Sequence, residues 1–195
     1  MKQGFRLLMN GAASKSMRDK GLHYHLNWGV QLADLRQIAD EYGQDYDLAI
    51  ELWKENVREC KILATMMMPP ERMLPEIADL WMEQTESQEL AEMAAFNLYQ
   101  HLPFAPAMAY EWIAKDRPLY QICGFHILTR LFMNGREPDE RGINELMDQI
   151  ASALTDGSPA VSHAAHLCLL RFADLGESYE SIAKKMAKSI YLDIF

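Results

Sequence analysis

The sequence predicts an all-α chain whose helices stack in consecutive antiparallel pairs, as in a short helical-repeat solenoid. Three observations carry this. Helix formers dominate and β-branched runs are nearly absent. Gly and Pro fall between apolar segments of helical spacing, where they stop one helix and let the next begin. A weak self-similarity recurs along the second half of the chain.

Taken in order, Asn10-Gly11 is expected to end a first short helix, and Ser14 to Lys20 to form a second that closes at Gly21. Leu22 to Val30 is expected to be a loop. Leu32, Leu35, Ile38, Ala39 and Tyr42 recur at helical spacing before Gly43, and a partner helix begins after Asp45 with Leu48, Ile50, Leu52 and Trp53. The next helix, about Val57 to Met68, is stopped by Pro69-Pro70, and another runs from about Met73 to Met82. The same grammar continues through Gln88 to His101, Ala105 to Lys115, Leu119 to Met133, Asp139 to Leu154, Pro159 to Leu175 and Ser178 to Tyr191.

The segments Ala94-Ala95-Phe96-Asn97-Leu98-Tyr99, Cys123-Gly124-Phe125-His126-Ile127-Leu128 and Ala164-Ala165-His166-Leu167-Cys168-Leu169 resemble one another at intervals of roughly thirty to forty residues, the range of helical-pair repeats such as HEAT. A plain bundle also makes short antiparallel helices, so the near-repeat is what favours the stack. One domain over residues 1–195 is expected, with N-terminal helices and a loop to residue 30 and stacked pairs over residues 31–195.

Composition narrows the function. No stretch of eighteen apolar residues spans a membrane and no secretory leader opens the chain, so a cytoplasmic location is expected. Cys60, Cys123 and Cys168 lie far apart inside apolar patterns and read as small core residues. A formal charge of −9 argues against broad nonspecific nucleic-acid binding while leaving room for a local basic face. Arg6, Lys15, Arg18 and Lys20 make the N-terminal part basic, and Lys184, Lys185 and Lys188 do the same near the C-terminus. Two such patches grip a duplex at two points or are simply solvated helix faces.

One segment carries more than composition. Trp28-Gly29-Val30, Leu35-Arg36 with Ile38-Ala39, Leu48-Ala49-Ile50-Glu51-Leu52-Trp53 and Glu59-Cys60-Lys61-Ile62-Leu63-Ala64 resemble, in order and spacing, the N-terminal half of the AlkD-like alkylpurine DNA glycosylases over about forty residues. Lys61 stands where that family usually has Arg. The resemblance implies HEAT-like repeats whose concave face holds damaged duplex DNA, and excision of N3- and N7-alkylated purines with no metal or other cofactor. An alkylated base is already a cationic leaving group, so such chemistry needs a carboxylate and aromatic faces beside an oxocarbenium-like sugar.

In the family those groups come from a Trp-x-x-x-Asp segment and a later Arg. Here Thr85 to Met93 occupies that place without a Trp, Met93 stands at the Asp position, and Gln121 or Ile122 stands where the Arg is expected. Glu89 and Glu92 are therefore the candidate catalytic carboxylates. Trp28, Lys115, Arg117 and Arg130 are the candidate DNA contacts. Two alternatives to the glycosylase stay open: a non-catalytic DNA-binding member, and a scaffold that binds protein.

The remaining signals read as structural. Trp53 and Trp81 sit on apolar faces, Trp112 is expected to pack, and Met66-Met67-Met68, Met73 and Met82 fill core. His23-Tyr24-His25 lacks accompanying ligands and reads as a solvated loop, and His126, His163 and His166 as core or interface histidines.

Overall fold

The computed structural model describes residues 2–191, with side chains from residue 4 onward. The described residues form twelve α-helices and no β-sheet. They divide into two compact units, Met1–Pro103 and Phe104–Phe195. No helix is long and apolar enough to cross a membrane.

The first unit holds α1 (Lys2–Leu7), α2 (Gly11–Asp19), α3 (Leu32–Tyr42), α4 (Tyr46–Lys54), α5 (Arg58–Met67), α6 (Pro75–Glu83) and α7 (Gln88–Asn97), with 3-10 turns at Pro70–Arg72 and Tyr99–His101. Their starts are chemical. The side chains of Asn10, Asp45 and Ser87 each accept a hydrogen bond from the N–H three residues on, and Pro75 opens α6 without a donor to satisfy. Asn10 thus caps α2 rather than ending α1, and Gly11 is the first residue of α2, not a stop.

Helix α5 is the centre of this unit, packed on α3, α4 and α7. Cys60, Ile62, Leu63, Ala64 and Met67 are all fully enclosed. Thr65 Oγ1 accepts from Asn97 Nδ2 at 2.9 Å, which ties α5 to α7. On the other side Trp53 and Trp81 stack face to face, centroids 4.2 Å apart and 2° from parallel, joining α4 to α6. The Lys61 ammonium lies 4.3 Å above the Trp53 ring and donates to the Trp53 carbonyl. Both tryptophans and Met67, Met68, Met73 and Met82 are buried, as the apolar pattern predicts.

The second unit holds α8 (Ala105–Ile113), α9 (Pro118–Met133), α10 (Glu140–Thr155), α11 (Pro159–Ala173) and α12 (Glu177–Ser189). Helix α9 pairs with α8, α11 pairs with α10, and α9 and α11 pack on each other. The recurring small pair explains the weak repeat in the sequence. Ala94-Ala95 on α7, Cys123-Gly124 on α9 and Ala164-Ala165 on α11 are all buried, and α7 packs on α5, α9 on α8, and α11 on α9 and α10. A Cβ at Gly124 would lie 2.7 Å from Ile113 Cγ1 and 2.8 Å from the Ala109 carbonyl oxygen, so α9 approaches α8 as closely as only glycine permits. Trp112 is fully buried, edge-on to Tyr120. His126 and His166 are half-buried and His163 is exposed.

Tyr110 on α8 presents a phenolic oxygen that is buried and has no hydrogen-bond partner among the described residues. Burial pushes its pKa up, with Cys168, Glu145 and Asp139 adding to the shift. Tyr110→Phe is expected to leave stability unchanged or raise it by up to about 1 kcal/mol in urea unfolding at neutral pH, because it removes a desolvated, unpaired hydroxyl. Since the folded state holds this proton more tightly than the unfolded state, its contribution is intact below the ordinary phenol pKa of about 10 and is lost above it. The variant should therefore lose less stability than the parent as pH rises past that point.

Candidate functional site

The most unusual arrangement in the first unit is a charged cluster inside it. Arg58, the first residue of α5, is 1% exposed and its neighbour Glu59 is 0% exposed. Neither survives in such a place without partners. Arg58 Nε donates to Glu89 Oε2 at 2.9 Å and Nη2 to Glu89 Oε1 at 2.6 Å, a two-pronged pairing with the start of α7. Its Nη1 donates to the Val30 carbonyl at 3.1 Å and lies 3.4 Å from Glu59 Oε1. Glu59 in turn accepts from the backbone N–H groups of Trp28 and Val30, each at 3.2 Å.

Tyr24 completes the cluster from the loop. Its hydroxyl donates to Glu89 Oε2 at 2.7 Å and shares a 2.6 Å hydrogen bond with Ser87 Oγ. Burial alone would lower the Arg58 pKa, but the hydrogen bonds and charge of Glu89, with Glu59, more than offset it and hold the guanidinium above its ordinary value. Burial, with Glu89 beside it, raises the Tyr24 pKa. The phenol therefore stays neutral and remains a donor. Glu59 and Glu89 also lie in the first turns of their helices, where the backbone dipole favours negative charge.

What this cluster holds is the turn Trp28-Gly29-Val30. Gly29 has φ +71°, and a Cβ there would lie 2.2 Å from the Asn10 carbonyl oxygen and 2.8 Å from Ser14 N. The turn is thus pressed flat on the start of α2. Asn10 N–H donates to the Trp28 carbonyl at 2.9 Å and Ser14 Oγ to the Asn27 carbonyl at 3.0 Å. A single parallel bridge pairs Leu26 with Val57, just before α5. Trp28 is half-buried, its ring 5.7 Å from the Arg6 guanidinium, and its indole N–H is enclosed with no partner among the described residues.

The residues expected from sequence land in different surroundings. Glu89 and Trp28 belong to the one cluster just described, linked through Arg58 and Glu59. Glu92, three residues beyond Glu89 on α7, is half-buried and accepts from Gln88 Nε2 at 2.7 Å. Met93 beside it is also half-buried. Lys115 and Arg117 belong to the second unit, where both cations sit on the Tyr120 ring at 4.8 and 4.5 Å, and Lys115 lies 3.2 Å from Glu111. Arg130 on α9 is half-buried, with Nη1 3.8 Å from Met133 Sδ, and burial lowers its pKa.

Sequence reasoning missed Arg58, Tyr24 and Ser87. Their partners lie 31 to 65 residues away, so no local pattern marked them; in the structure Arg58 and Glu59 open α5, a helix with no exposed residue. His23 and His25 flank Tyr24 and point to solvent. Among the described residues no group of three or more His, Cys, Asp or Glu is placed to hold a metal. Burial raises the pKa of the Cys123 thiol, and that of Cys168 is pushed up to about 12, so both are poor nucleophiles.

Comparison with known proteins adds three findings. The sequence model of a family described as DNA alkylation repair enzyme matches residues 1–171. No curated protein matches the chain. A solved structure, described as a new family of proteins related to the HEAT-like repeat DNA glycosylases with affinity for branched DNA structures, superposes with a TM-score of 0.87 over 97% of this chain and 81% of that one, at 19% identity. At that identity the likeness establishes the fold, an all-α array of HEAT-like repeats.

Two substitutions test the cluster. Arg58→Ala strands the enclosed Glu59 carboxylate and is expected to cost about 3–5 kcal/mol in urea unfolding, with early loss of hydrogen-exchange protection at the Trp28 and Val30 amides. Gly29→Ala combines an unfavourable φ with a backbone collision and is expected to cost at least about 2 kcal/mol.

Proposed function

The chain belongs to the DNA alkylation repair enzyme family, and from that premise we propose that it binds DNA, branched or otherwise distorted, without excising a base. The observation that carries the second half is the commitment of Glu89. To stabilise an oxocarbenium-like sugar a carboxylate must keep its charge available to the reacting centre. Both oxygens of Glu89 are instead engaged by Arg58, and one also by Tyr24, inside a cluster that holds the Trp28 turn. Met93 replaces the acid on which the resembled glycosylases depend, and no Trp precedes it on α7. Glu89 serves structure here, and Glu92 is the carboxylate left to test.

The first half is supported by family membership and by the fold shared with a protein described as having affinity for branched DNA. Trp28, held at a rigid turn, is the aromatic surface offered to the nucleic acid, and Lys115, Arg117 and Arg130 are secondary contacts. With a net charge of −9 the chain has few phosphate contacts to offer, so affinity is modest and depends on DNA shape more than on sequence.

Fluorescence anisotropy with a four-way junction and a linear duplex of matched sequence, over a salt series, is expected to show tighter binding to the junction and loss of affinity for both as salt rises. Failure to bind either DNA would sink the binding reading. On N7-methylguanine DNA, base release is expected to stay at the spontaneous rate. Release above that rate by the parent protein, abolished by Glu92→Gln, would show a glycosylase and reverse the second half.

A further inference from the structure

Charge is divided very unevenly along this chain. Residues 1–30 hold five of the 19 Lys and Arg but one of the 28 Asp and Glu, a net of +4, so the remaining 165 residues carry −13. A polyanion approaching the protein meets attraction at the N-terminal segment and, on average, repulsion elsewhere.

Within that segment Arg6, Lys15, Arg18 and Lys20 are all exposed, and among the described residues none pairs with a carboxylate. Elsewhere Lys54 pairs with Glu51, Arg171 with Asp174 and Lys184 with Glu180, while Arg136 and Arg141 are exposed without a carboxylate bridge among the described residues but lie in the part of the chain that is net acidic. Lys15 and Arg18 lie three residues apart and share a face of α2, with Lys20 at its C-terminal end.

The cations also stand on a fixed base. Helix α2 is attached to the Asn27–Val30 turn by the Asn10 and Ser14 hydrogen bonds, and Gly29 lies flush on its first turn. The turn is held by Glu59 and Arg58, and the loop ahead of it by Tyr24. Solvated side chains on a frayed terminus lose entropy whenever they bind, whereas a docked helix presents its charges already ordered at the backbone. Arg6 stands over the face of Trp28, so the positive surface is continuous with the aromatic turn.

We infer that α2, with Arg6, is the phosphate-gripping surface of this protein: Lys15, Arg18 and Lys20 contact the sugar-phosphate backbone of DNA next to the Trp28 turn. This rests on the DNA-binding reading above and deepens it by placing the electrostatic contact in the first thirty residues. The lysines of α12 are the competing location, since Lys185 and Lys188 are exposed as well. They follow Glu177 and Glu180 on the same helix, and Lys184 is already paired.

The test compares the full-length protein with two triple variants, Lys15→Gln/Arg18→Gln/Lys20→Gln and Lys184→Gln/Lys185→Gln/Lys188→Gln, on the same labelled junction across a salt series. All six side chains are exposed, and circular dichroism checks that each variant keeps its helices. Each phosphate contact adds about 0.9 to the slope of log affinity against log salt. The α2 variant is expected to lose roughly two to three from that slope and at least about tenfold in affinity at low salt, while the α12 variant keeps the parent slope. An unchanged slope in the α2 variant, or the loss appearing in the α12 variant instead, overturns the assignment. No binding by the parent protein overturns the DNA-binding reading and this inference together.

Discussion

The enclosed guanidinium of Arg58 is the constraint on which the first unit depends. A charge at 1% exposure is tolerable only if every direction around it offers an acceptor, and its acceptors come from three separate parts of the chain. Glu89 lies at the start of α7, Glu59 is its own neighbour, and the Val30 carbonyl belongs to the loop. Satisfying one side chain therefore fixes the register of α5 against α7 and the path of residues 24–30 at once. An apolar residue at this position would pack without specifying any of that geometry.

Much of the fold was legible because helices end for local reasons. Pro69-Pro70 and Gly43 stop their helices where the pattern places the stops. Asn10 was misread because Asn followed by Gly can close one helix or cap the next, and the choice is made by the Trp28 carbonyl, eighteen residues away, which accepts from Asn10 N–H. The 3-10 turn at Tyr99–His101 was likewise folded into the preceding helix in the sequence reading, since both share local propensity.

The site was legible only in part. The Trp28-Gly29-Val30 turn and Glu59 stood out through their resemblance to a known pattern, and Glu89 through its nearness to the expected acid. The link between them did not. Arg58 and Tyr24 act across sequence separations of 31 and 65 residues, beyond the reach of periodicity or spacing. Glu89 consequently changes meaning once its partners are seen: a carboxylate that looked available for chemistry is one leg of a support. A shared fold transmits the support more readily than the reaction.

The same long-range bonds impose an order on the life of the chain. Tyr24 and the Trp28 turn leave the ribosome some sixty residues before Glu89, the group that must receive them. At roughly 5–20 residues per second that is several seconds of waiting. During that interval Tyr24, and Arg58 once it is made, have no Glu89 to bind, so the loop and turn that seat the basic helix are not yet held. An early segment that is seated late is open to chaperones, or to premature contact with polyanions, before its own body exists to hold it in place.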